Sequence, residues 1–183
     1  MTARSSDGAE VAFGVPLGEL TELSVAAVLS HLERPWGLGV VLVRRGGFAV
    51  ARLIGAQVVE SKVGQRHVQG RSKAGGWSQQ RFSRRRDNQA AAAYDAAAGH
   101  VNRLLVPHAK ALDAVATGGD RQAVRTVLAQ PALLPLSTVP QLWVGAFGDP
   151  RRDVLTAAIA AARSVQIEVR DPLRHVAGAE HEQ

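Results

Sequence analysis

Gln79 and Gln80 stand where a polar, glycine-bearing stretch, Gly75-Gly76-Trp77-Ser78, gives way to a run of arginines. A glutamine amide has no useful pKa and cannot serve as a general base. It can hold a water in line with an electrophile, or donate to a developing oxyanion. Such a residue assists hydrolysis of an already activated ester when the substrate supplies the proton path. A loop glutamine is otherwise an ordinary solvated side chain, so its neighbours have to separate the two readings. From Ser61 to Arg86 the chain carries Lys62, Arg66, Arg71, Lys73, Arg81, Arg84, Arg85 and Arg86, and no Asp or Glu. This run cannot neutralise itself and points to an external polyanion, RNA or DNA phosphate, although charge alone also fits a solvated basic face. Gly75 and Gly76 let the backbone approach a ligand closely. Trp77, in the same polar context, is read equally as an exposed side chain and as a platform for a base.

The elements that must position this stretch are read from periodicity. Residues 1–8 read as a loose leader and Glu10 to Val15 as a short edge strand. Pro16 to Arg34 carries Leu17, Leu20, Leu23, Val28, Leu29 and Leu32 at helical spacing and ends before Pro35. Leu38 to Val43 is a continuous apolar run, a buried strand. Arg44-Arg45-Gly46-Gly47 reads as a turn and Phe48 to Ile54 as the returning strand of a hairpin. Gln57 to Val68 is a third strand leading into the basic stretch, with residues 70–80 as a glycine-rich, polar loop. Ser78 reads as the N-cap of a long helix that stops near Val106-Pro107, with Phe82, Arg86, Ala93, Ala97, Val101 and Leu104 along one stripe. The alanine-rich run Ala90 to Ala98 favours a helix and close packing. The second half alternates: strand Leu112 to Thr117, turn Gly118-Gly119, a helix capped by Asp120, a proline loop from Pro131 to Pro140, strand Gln141 to Phe147, turn Gly148-Asp149-Pro150, helix Arg151 to Arg163, strand Val165 to Val169. This order predicts an α/β domain with a parallel or mixed sheet covered by helices, which the hairpin strands extend on one side. Residues 172–183 read as a frayed tail, and 1–183 as one domain.

Composition narrows the chemistry. At 183 residues the chain is long enough to bury a real core. The net charge is +6, and nearly all of the 22 basic residues are Arg, whose planar fork suits bidentate phosphate contacts. The absence of cysteine rules out disulfides, thiolate zinc sites and a thiol nucleophile. The N-terminal stretch lacks the apolar core of a signal peptide, and no apolar run reaches bilayer-spanning length, so a soluble, intracellular, cytoplasmic protein is expected. His31, His67, His100, His108, His175 and His181 are scattered, without metal-ligand spacing. His100 reads as packed, and His67 as a neighbour of the basic stretch. Asp113 and Asp149 are isolated acids, not the clustered carboxylates of a metal-dependent nuclease. Gly118-Gly119-Asp120 lacks the phosphate-loop patterns and reads as a capped turn. Trp36 and Trp143 read as core. No cofactor and no metal are called for.

The residues Gly75-Gly76-Trp77-Ser78-Gln79-Gln80-Arg81-Phe82-Ser83-Arg84-Arg85-Arg86 resemble the catalytic-loop-to-helix junction of eukaryotic and archaeal class-one peptide release factors. There a Gly-Gly-Gln tripeptide precedes Ser and a helix patterned Arg-Phe-x-Arg-x-Arg. Arg81-Phe82, Arg84 and Arg86 match the helix, whereas Trp77 stands where the glutamine would be. The spacing Gly76-x-x-Gln79 is instead similar to the Vms-type release-factor-like family, in its compact bacterial branch.

The resemblance implies a ribonuclease-H-like fold without that enzyme's metal site. It implies release of nascent chains from tRNA on stalled large ribosomal subunits, in ribosome quality control. It assigns the catalytic role to Gln79, with Gln80 as the substitute. Gly75, Gly76, Trp77 and Ser78 would form the loop, and Arg71, Lys73, Arg81, Arg84, Arg85 and Arg86 would bind RNA. The implied partners are large-subunit RNA and the peptidyl-tRNA acceptor end, and a monomer suffices. A rescue module that binds the same site without chemistry, and cleavage of the tRNA end, are the alternatives.

Overall fold

The computed structural model describes residues 2–6, 8–22, 24–65 and 77–170, apart from the side chains of 77–88. The chain divides into two compact units, Met1–Arg34 with Arg163–Gln183, and Pro35–Ala162.

The larger unit is built on a five-stranded mixed sheet. Its strands are β3 (Gly37–Arg44), β4 (Gly47–Ile54), β5 (Gln57–Gln65), β6 (Ala114–Gly119) and β7 (Gln141–Gly145), in the order β5-β4-β3-β6-β7. β3 and β4 form the expected hairpin, closed by Arg45 and Gly46, with Arg44 paired to Gly47. β5 adds antiparallel to β4, while β6 pairs parallel to β3 and β7 parallel to β6. β3, β5, β6 and β7 therefore all run one way and end at the same edge of the sheet. β3 is buried on both faces through Val43, which is why its sequence is a continuous apolar run and not an alternating one.

The long helix α2 (Trp77–Leu104) follows β5, and α3 (Arg121–Leu128) links β6 to β7. One face of the sheet, through Val41, Val43, Val50 and Val115, packs with Ala97, Val101 and Leu104 of α2 and Val124 and Val127 of α3. Full burial of such Val and Leu side chains contributes about 1.5–3 kcal/mol each. Short 3₁₀ turns at Val106–Ala111 and Pro131–Leu136 close the connections. α4 (Arg152–Arg163) buries Leu155, Ala158 and Ala162.

The Asp120 side chain caps α3, accepting from the Ala123 N–H at 2.9 Å. Asp120→Ala is expected to cost about 1 kcal/mol, the usual loss for an N-cap, read as a lower denaturant midpoint at unchanged slope.

The smaller unit holds a three-stranded antiparallel sheet of β1 (Thr2–Arg4), β2 (Glu10–Gly14) and β8 (Gln166–Arg170), and the helix α1 (Val25–Glu33).

Several sequence expectations change. The leader contains β1, so β2 lies between two strands and is not an edge. β8 joins β2 and stays outside the five-stranded sheet, because its partner lies at the far end of the chain, where strand-helix alternation gives no hint of it. α1 begins at Val25 and not at Pro16: Gly18 has φ +61°, outside the helical region, and Ser24 accepts from the Ala27 N–H at 3.1 Å as the cap. Gly118 and Gly119 lie within β6 rather than in a turn, paired to Leu42 and Val43 of β3. The proline stretch turns as a 3₁₀ helix. The expected tail, 172–183, lies outside the described residues.

Candidate functional site

β5 ends at Gln65 on the sheet edge shared by β3, β6 and β7, and α2 begins at Trp77. Gly75, Gly76, Arg71, Lys73 and His67 fall in 66–76, outside the described residues. Trp77, Ser78, Gln79 and Gln80 form the first turn of α2. Ser78 is thus inside the helix and not its cap. Both glutamines sit where backbone N–H groups lack intrahelical acceptors and the positive end of the helix dipole lies. Arg81, Arg84, Arg85 and Arg86 follow in the next two turns.

The helix has 28 residues, about 42 Å of axis. Its far half is held in the core: Ala90, Ala93, Ala97, Ala98, Val101 and Leu104 are buried. Alanine at the packed positions lets the helix lie close on β4, the strand it touches most. The expected stripe is therefore correct at Ala93, Ala97, Val101 and Leu104.

The segment after β7 takes an unexpected course. Arg44 Nη1, at the end of β3, donates to the Phe147 carbonyl oxygen at 3.2 Å. Gln65 Nε2, at the end of β5, donates to the Pro150 carbonyl oxygen at 3.4 Å. Because β7 and β5 are opposite edges of the sheet, residues 145–150 must cross the strand ends from one side to the other. A Cβ on Gly118 would come within 3.0 Å of the Phe147 ring, so the glycine makes room for this crossing. The strap holds Gln65, the last residue of β5. The sequence shows Gly148-Asp149-Pro150 as a turn and carries no signal of its target, since 85 positions separate Gln65 from Pro150.

The remaining candidates resolve into structural roles. Asp113 Oδ2 accepts from the Gly37 N–H at 2.8 Å, tying the start of β6 to the start of β3. Trp36 and Trp143 are half-buried rather than core. The Trp143 ring carries the Arg121 guanidinium 4.2 Å from its centroid. The Tyr94 hydroxyl pKa is raised, by burial first and then by the Asp120 charge, against the opposing pull of the Arg45 charge. Among the described residues no group of three His, Asp or Glu side chains is placed to hold a metal ion, and no helix is long and apolar enough to cross a membrane.

His100 is packed as expected, its ring 5.2 Å from that of Phe48 at an interplanar angle of 29°. Burial, then the Arg103 and Lys62 charges, hold its pKa below the ordinary 6.5. Glu60 offsets part of the local charge by pairing with Arg103 at 3.5 Å. The fold thus favours the neutral ring, and the unfolded chain takes up the proton first. Stability is unaffected above about pH 6.5 and falls as the pH drops from there through the folded pKa. Thermal melts at about pH 7.5 and about pH 5.5 are expected to show this loss, and His100→Leu to remove that part of it.

The family model described as Actinobacteria/chloroflexi VLRF1 release factor, acVLRF1, matches residues 37–168, well over half of the chain. No curated protein matches. The crystal structure of an archaeal translation termination factor, aRF1, is similar at 19% identity and a TM-score of 0.47, over 69% of this chain and 34% of that one. The chain thus spans about a third of that protein's length.

Proposed function

The chain belongs to the actinobacterial and chloroflexi VLRF1 release-factor family, and on that premise we propose that it hydrolyses peptidyl-tRNA on stalled large ribosomal subunits, in ribosome quality control. The observation that carries this reading is the extent of the family match, residues 37–168, which takes in both glutamines, the basic run and the sheet that anchors α2.

In this reading Arg71, Lys73, Arg81, Arg84, Arg85 and Arg86 dock on ribosomal RNA and the tRNA acceptor end. Gly75 and Gly76 bring backbone, without side chains, into a narrow RNA cavity, and Trp77 and Ser78 carry the approach into the helix. Gln79, or Gln80 in its place, orients a water whose oxygen bonds to the ester carbonyl carbon. The carbon–oxygen bond to the terminal ribose breaks, and the neighbouring ribose hydroxyl relays the water's proton to the departing oxygen. Free N–H groups in the first turn of α2 suit the negative charge that develops on the carbonyl oxygen. The protein works as a monomer in the cytoplasm.

The test is release of a nascent chain from purified stalled large subunits by the wild-type protein, with the tRNA product sized. A freed peptide and a tRNA with an intact CCA end are expected. A shortened tRNA would make the protein a nuclease. Binding without release would make it a rescue module.

A further inference from the structure

The sheet edge at which β3, β5, β6 and β7 end carries a second set of arginines, remote in sequence from the basic run. Arg44 and Arg45 lie at the β3–β4 turn, Arg121 at the start of α3, and Arg151 and Arg152 at the start of α4. With Arg121 on Trp143 of β7 and Arg151 following Pro150 at the end of β5, the set spans four inter-strand spacings, about 19 Å of edge. Arg45, Arg121, Arg151 and Arg152 are exposed, and Arg44 is half-buried.

Two of these groups are fixed without being neutralised, Arg44 by the Phe147 carbonyl and Arg121 by the face of Trp143, and Arg45 lies near the Tyr94 hydroxyl. Each partner is neutral. The ion pairs found among the described residues, Arg4–Glu10 and Arg103–Glu60, involve none of the five. Three acids share this edge with the five arginines: Asp120, which keeps its charge while accepting from the Ala123 N–H, the exposed Asp149, and Asp153 in the first turn of α4, so the edge keeps a net positive charge. A guanidinium oriented by a carbonyl or an indole keeps its full charge and free N–H donors for an outside anion. The edge itself is where open α/β sheets receive ligands.

We propose that this arginine-bearing edge is a phosphate-backbone docking surface for RNA, separate from the basic run of residues 62–86. It deepens the release-factor reading by adding a second footprint on the RNA. Arginine rather than lysine at all five positions favours the planar fork of a phosphate contact, and the indole under Arg121 favours an extended guanidinium stack over a single ion pair.

The experiment measures binding of the full chain to a short fluorescent RNA duplex over a range of salt. The triple variant Arg45→Ala, Arg121→Ala, Arg152→Ala is compared with Arg45→Lys, Arg121→Lys, Arg152→Lys, and circular dichroism confirms that both fold. The slope of log affinity against log salt is expected to flatten by about three in the alanine variant, about one per lost phosphate contact, and affinity to fall at least about tenfold. The lysine variant is expected to keep the slope. An unchanged slope in the alanine variant overturns the proposal, and so does an equal loss in the lysine variant. Polyglutamate binding with the same slope would replace RNA by an acidic protein surface. A wild type that releases no peptide, with the slope still lost in the alanine variant, would sink the hydrolase reading and leave this surface standing.

Discussion

Replacing Gln79 and Gln80 together by alanine is expected to lower nascent-chain release by roughly 10²- to 10³-fold, the usual loss when one preorganised donor to a developing oxyanion or its water is removed. RNA affinity and its salt dependence should stay at the wild-type level, because neither amide carries charge. Both residues lie in the first turn of α2. The proposed mechanism assigns the water to one amide, Gln79 or Gln80 in its place. One single variant should reproduce nearly the whole loss, and the other should release at close to the wild-type rate. Wild-type release from the double variant would end the proposed mechanism, whatever the arginines do. Equal partial losses in the two single variants would mean that the amides act on binding rather than on the water.

The largest loss of stability is expected at Gly119, which gives little sign of it in the sequence. It closes β6 with φ +98°, a conformation that L side chains rarely adopt. A Cβ there would overlap the Val43 carbonyl oxygen of the neighbouring strand and press on Arg44 Cγ. That carbonyl already accepts from the Asp120 N–H at 2.9 Å, so it cannot turn away without loosening the start of α3. Backbone strain of about 1–3 kcal/mol and overpacking of about 1–3 kcal/mol act together. Gly119→Ala should therefore cost about 3 kcal/mol, a fall of about 6–12 °C in Tm for a chain of this size, and Gly119→Val more. Both are read by thermal melts. A melting point for Gly119→Ala within about 2 °C of wild type would show that the strand end relaxes freely and that the close contact at Val43 is not binding.

The hairpin was legible because it is local. Leu38 to Val43 is apolar throughout, Gly46-Gly47 turns the chain, and the two strands are neighbours in sequence, so pairing needs no long-range information. The cap at Asp120, the end of α2 before Pro107 and the buried stripe from Ala93 to Leu104 were legible for the same reason. The start of α2 was displaced by two residues, since Ser78 is a good cap by type, yet both Trp77 and Ser78 are helical. The fate of β8 was not legible: an alternating strand after a helix looks the same whether it extends one sheet or starts another. Trp143 looked like core because its neighbours are apolar, while the structure half-exposes it to carry Arg121.

The sequence by itself determined the candidate chemistry of this protein. Two amides at a helix start, beside a run of cations from Lys62 to Arg86 with no acid inside it, are properties of adjacent residues, and adjacency is what a sequence records. Only the tertiary structure decided what stands around them. Arg44 and Arg121 come to one edge because β3 and β6 run parallel and end there, and Pro150, the residue before Arg151, meets Gln65 of β5 because the chain crosses that edge. Parallel strands are joined by long crossovers, so residues at their ends lie far apart along the chain and leave no local pattern to read.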